Sequence, residues 1–257
     1  MFSRTFHRFF PDGLQRQGKR SRASCVLPRL LAVMLAALIA LPLAEATQPV
    51  AAGKDKKFKT ITKTISSNGQ IAIPAAGTEG PSNPYPSTMK VDAFKKFKKA
   101  KIKDVNLTLS NFDHTFPDNV DVMLVLGGRQ ATVLSDVGGN TDAAGLTLTL
   151  DDEAGTELPN ASALSSGTFR PANFVGFMET GDVFAAPAPS QNGNAALSTF
   201  NNAKPDGTWQ LFVHDDFTAD TGNFAGGWTL EITAKVKEKD SKKDSKKDGK
   251  KGKKDEK

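Results

Sequence analysis

Cysteine is nearly missing from this chain: its 257 residues contain one, Cys25. A single thiol excludes a disulfide framework and a thiolate metal site, so a folded domain here must rest on its apolar core. Histidine is scarce as well, and only His114 and His214 lie beyond residue 46. Sites that depend on several imidazoles are therefore excluded. No long hydrophobic run occurs outside residues 30–43, and no other segment repeats its apolar residues at a helical spacing. Basic residues almost vanish from residues 105–234, which hold Arg129, Arg170 and Lys204 against sixteen acids, a net of −13. The overall pI near 9.3 comes from the two ends. The acidic middle is a poor partner for nucleic acid.

The ends are built differently. Seven basic residues precede the uncharged run 30–43, and Ala44, Glu45 and Ala46 follow it. Fourteen residues are too few for a membrane-spanning helix, which takes about 20. The pattern predicts a signal peptide over 1–46, cleaved after Ala46, and hence a secreted or cell-envelope protein. Cys25 lies before the run, where it cannot serve as a lipoprotein cysteine. Residues 47–57 read as a linker. Residues 237–257, lysine-rich and almost devoid of apolar residues, read as a disordered basic tail suited to anionic envelope polymer or lipid.

Between these ends the apolar residues alternate. Trp209, Leu211 and Val213 mark one strand, and Trp228, Leu230 and Ile232 another. Residues 58–66, Met89 with Val91, the set Val105, Leu107 and Leu109, and the set Leu146, Leu148 and Leu150 mark further strands. The near-continuous apolar run 120–126 fits a central strand, turned at Gly127 and Gly128 into residues 131–134. Short strands parted by Gly, Pro, Asn and Asp predict an all-β fold, a sandwich or jelly roll. The lysine run 95–103 reads as protection of an edge strand, with contact to an acidic polymer as the alternative.

Several motifs in order carry a family resemblance. Gly-Thr-Trp-x-Leu-x-Val-x-Asp from Gly207, Asp-x-Gly from Asp220 and Gly-Gly-Trp-x-Leu-x-Ile from Gly226 resemble the closing strands of the P domain (Homo B domain) of proprotein convertases. Residues 104–109, 114–122, 134–139 and 167–171 resemble its earlier strands. The resemblance implies a galactose-binding-like jelly roll over residues 58–236. It also implies a domain that ordinarily accompanies a subtilisin-like serine endopeptidase.

The protease itself is not legible. No His-Gly-Thr and no Gly-Thr-Ser-x-Ala occurs, and the Asp-Thr-Gly at residues 220–222 lacks partner motifs for a triad. The chain is expected to be non-catalytic. The first expected function is a calcium-stabilised binding or adhesion module. The alternative is an accessory of a separate secreted subtilisin-like protease. Calcium, a hard cation that takes six to eight oxygens, is the expected cofactor. Two carboxylate groups could hold it. If residues 120–126 and 131–134 form a hairpin around 127–130, Asp121 faces Asp136, and two opposed carboxylates repel unless a cation joins them. Asp118 and Asp142 complete this first group. Asp215, Asp216 and Asp220, in the last inter-strand loop, form the second.

Overall fold

The computed structural model describes residues 57–74, 77, 79–176 and 182–238. The expected signal peptide, most of the expected linker and the part of the expected tail beyond Glu238 lie outside these residues. Among them, helix is confined to two 3-10 turns, Pro117–Asn119 and Leu197–Phe200, and no helix is long and apolar enough to cross a membrane. The remainder is strand and loop, so the fold is all-β, with two mixed sheets facing one core.

The first sheet runs β1 (Phe58–Ser67), β13 (Trp228–Lys237), β5 (Lys101–His114), β12 (Gly222–Phe224) and β2 (Ile71–Ile73), with β8 (Ala143–Leu150) on the free side of β5 and β9 (Gly167–Phe169) beyond it. The second runs β10 (Ala172–Asn173), β7 (Arg129–Ser135), β6 (Val120–Leu126), β11 (Gly207–Asp215) and β3 (Gly80–Pro81), and β4 (Ser87–Val91) also pairs β11. Most pairs are antiparallel, whereas β10 with β7 and β8 with β9 are parallel.

The alternation seen in the sequence becomes the core. Trp209, Leu211 and Val213 of β11 face Val105, Leu107 and Leu109 of β5 and Trp228, Leu230 and Ile232 of β13 within one buried cluster. Both indoles are fully buried, where their N–H groups need acceptors. Trp209 Nε1 donates to the Pro205 carbonyl at 3.1 Å, and Trp228 Nε1 donates to Ser87 Oγ at 2.9 Å, tying the first sheet to β4 of the second.

Two glycine sites are set by geometry. Gly127 and Gly128 both have positive φ, 54° and 81°, and close a two-residue turn in which Leu126 pairs Arg129. Two consecutive left-handed positions are what the tight hairpin turn with the strands' own twist requires. Gly227, with φ 66°, turns the chain into β13, and a Cβ there would collide with the Ser67 carbonyl. Gly227→Ala should cost about 1–3 kcal/mol from the backbone alone. The check is a lower urea midpoint with an unchanged slope.

The lysine run does not protect an edge. Residues 95–99 form a turn, and Lys101 and Lys103 lie on β5, which pairs β13 on one side. On the other side Ile102 exchanges backbone bonds with Asn202 and Ala203 at 2.9 and 3.0 Å. An edge of that sheet is β1, where exposed Thr60, Thr62 and Thr64 alternate with half-buried Ile61 and Ile65.

Candidate metal centre

Strand β6 is buried along its whole length because both its faces are covered. Val120, Val122, Leu124 and Leu126 point into the core between the sheets. Met123 and Val125 point outward with Phe212 of β11, where Tyr85, Phe184 and Ala188 cover them. The loop from residue 182 to 194 makes most of this cover. The Tyr85 hydroxyl donates to the Ala185 carbonyl at 2.8 Å, Gln130 Nε2 to the Ser190 carbonyl at 2.6 Å, and the Thr132 N–H to the Asn194 carbonyl at 2.9 Å. Burial pushes the Tyr85 hydroxyl up to about 12.

Asp121 belongs to that outward set, and is 1% exposed. Beside it stand Asp136, at the end of β7, and Asp182, at the start of the covering loop. All three are buried, and one carboxylate oxygen from each lies within 4.8 Å of the others. Neither oxygen of Asp121 has a hydrogen-bond partner. The Ser135 hydroxyl donates to Asp136 Oδ2 at 3.0 Å, and it also lies close enough to Asp121 to oppose part of the rise in that carboxyl's pKa. The Asn173 amide, turned so that its nitrogen faces acceptors, donates to Asp182 Oδ2 at 3.2 Å. A buried polar atom left unbonded costs on the order of 1–3 kcal/mol, more if it is charged. This triad could hold a metal ion.

Burial holds the Asp121 carboxyl well above the usual carboxylate range, and the negative charges of Asp182, Asp216 and Asp136 push it further the same way. Its ladder partner on β11 is His214, whose ring lies 6.5 Å from that of Phe184 and whose pKa burial lowers. In the metal-free protein the folded state therefore keeps a proton on Asp121 that the unfolded chain releases near pH 3.9. Asp121 supports folding below that pH and loses this contribution as pH rises through its raised pKa. The expected result is a metal-free melting temperature that falls from about pH 4 towards neutrality relative to Asp121→Asn. Melting by circular dichroism at a series of pH values checks it, and a wild-type curve rising relative to the variant would refute it.

The sequence-predicted residues separate into distinct places. Asp121 and Asp136 do meet. The route differs from a simple hairpin, because the turn is only two residues and a bulge shifts the ladder so that Val122 pairs Leu134. Continued, that register sets Asp121 opposite Ser135, and Asp136 follows with a left-handed φ of 52°. Asp118 lies half-buried in the 3-10 turn, and Asp142 is exposed just before β8; neither joins the triad.

The second group is divided. Asp215 shares the inward face of β11 with Val213 and is fully buried, where its Oδ2 lies 3.0 Å from His114 Nε2. Its Oδ1 accepts the Phe217 N–H at 3.2 Å. His114 Nδ1 meets the backbone of Phe116, so both ring nitrogens are occupied. Asp220 accepts from the Thr115 hydroxyl at 2.8 Å. Asp216 is turned towards Asp121 and contributes its charge there. The sequence does not point to Asp182, which lies 61 residues from Asp121 in a proline-rich stretch without strand period. The one local signal is that Asp182 and Phe184 share the alternation that faces β6.

Comparison with protein-family models, with curated proteins and with solved structures found no match.

Proposed function

We propose that the chain is an exported, non-catalytic binding module of the P-domain type, a jelly roll whose outer loop is fastened by one calcium ion. The observation that carries the cation is Asp121: buried, with both oxygens lacking hydrogen bonds, in reach of two further buried carboxylates. Such a group is a poor use of a core position unless a cation completes it. The donors are all carboxylate oxygens, which suits a hard ion and not zinc or copper. They come from a strand, a strand end and a loop, a flexible set that fits calcium better than the strict octahedron of magnesium. Asp121, Asp136 and Asp182 would bind the ion. Its charge would offset their repulsion and fix the start of the 182–194 loop over Met123, Val125 and Phe212.

The non-catalytic reading is supported by His114, which has no ring nitrogen left to take a proton from a nucleophile. The ordered P-domain motifs and the leader-like residues 1–46 support placement outside the cell. Calorimetric titration of chelator-treated protein tests the cation. One calcium per chain, bound more tightly than magnesium and lost in Asp121→Asn, is expected. Absence of binding heat with either ion would end the proposal.

A further inference from the structure

The second feature lies at the other end of the body and does not depend on calcium. Residues 95–103 hold six lysines and no acid. The fold adds to them. Lys235 is the ladder partner of Lys101, the Lys237 N–H donates to the Lys98 carbonyl at 3.2 Å, and the Glu238 N–H donates to the Lys57 carbonyl at 2.9 Å. Lysines from three separate parts of the chain thus meet at one end of the first sheet. His114 and its aspartate neighbours lie at the far end of β5. At about 3.3 Å per residue the fourteen-residue strand holds the two ends roughly 40 Å apart.

A cavity of about 340 Å3 opens within the basic end. Lys95, Lys99, Lys101 and Lys204 surround it with Phe97 and Asp206. Of the acids at this end, Asp206, which itself lines the cavity, accepts the Phe94 N–H through Oδ1 at 2.9 Å, and Asp92 pairs with Lys95 at 3.2 Å. Among the described residues Lys99, Lys101 and Lys204 form no ion pair. Holding like charges around a concavity is unfavourable in isolation, and an anion would reverse the sign. Lysine offers point charges and no planar fork, so the attraction follows charge spacing more than the shape of any one group. Residues 239–257, which follow Glu238 in the sequence, hold ten lysines and five acids. The edge-protection role that a lysine run often serves is not available here, because Asn202 and Ala203 already cover that side of Ile102.

We propose that this end binds a linear polyanion, with one of its phosphate, sulfate or carboxylate groups seated among Lys99, Lys101 and Lys204. A concave site between lysines fits one group of a chain better than the flat face of a bilayer. Affinity for long-chain inorganic polyphosphate, measured on the full chain at several sodium chloride concentrations, tests this. Binding should weaken steeply with salt, as released counterions require. Lys101→Glu with Lys204→Glu should weaken it about tenfold or more and flatten the salt slope. Lys101→Gln with Lys204→Gln should fall between, and serves if the glutamates disturb folding. Lys250→Glu with Lys251→Glu, an equal change in the tail, should cost less than about threefold. A tail pair that costs as much as the cavity pair would overturn the assignment. So would an affinity indifferent to salt, or tight binding to vesicles of equal phosphatidylcholine and phosphatidylserine with none to polyphosphate.

Discussion

Chelation of calcium is expected to lower the melting temperature of this protein by about 5–10 °C. A ligand at a hundred times its dissociation constant stabilises the folded state by about 2.7 kcal/mol. For a domain of this size each kcal/mol moves the melting temperature by roughly 2–4 °C. The Asp121→Asn variant separates a specific site from general screening of an acidic body. Asparagine keeps the shape, is neutral without the cost of holding a proton above about pH 4, and offers an amide to the Asp136 and Asp182 carboxylates. Without calcium the variant should therefore melt above the wild-type chain, and calcium should barely move it. Chelation should also loosen the 182–194 loop and uncover Met123, Val125 and Phe212, seen as a rise in binding of a hydrophobic dye. A wild-type melting temperature unchanged by chelator would refute the fastening role.

His114→Ala is expected to cost about 3–5 kcal/mol, because it leaves the Asp215 carboxylate buried without its partner. By the same conversion the melting temperature should drop by about 6–20 °C. The calcium response should survive, since His114 meets Asp215 on the inward side of the second sheet, whereas Asp121 lies on the outward side of β6. If His114→Ala removed that response, Asp215 would have to be counted among the ligands. Melting curves with and without calcium decide between these outcomes. The pair closes the core where β5 and β11 end, and its expected effect is on stability alone.

The strands were legible because a half-buried strand writes its burial into alternate residues. Trp209, Leu211 and Val213 did so, as did Trp228, Leu230 and Ile232. The run 120–126 showed a central strand, but not what covers its outer face, because that cover is a loop without period. Asp121 and Asp136 could be paired from the expected hairpin. Asp182 could not, since its approach is set by the path of a long connection across the sheet. The Asp215 outcome was present in the alternation itself: it follows Leu211 and Val213 on the inward face, towards His114. Asp216 steps outward instead. Adjacent aspartates in a loop looked like one site because sequence proximity hides which face each side chain takes. The lysine run misled for a related reason, since its β5 residues are covered by the distant Asn202 and Ala203.

The most direct test of the central claim is a crystal structure grown with calcium, with anomalous diffraction used to locate the ion. One anomalous peak is expected, bounded by Asp121, Asp136 and Asp182, at about 2.3–2.6 Å from oxygens of all three. A well-ordered triad with no peak, or calcium bound only at Asp118, Asp142 or Asp220, would contradict it.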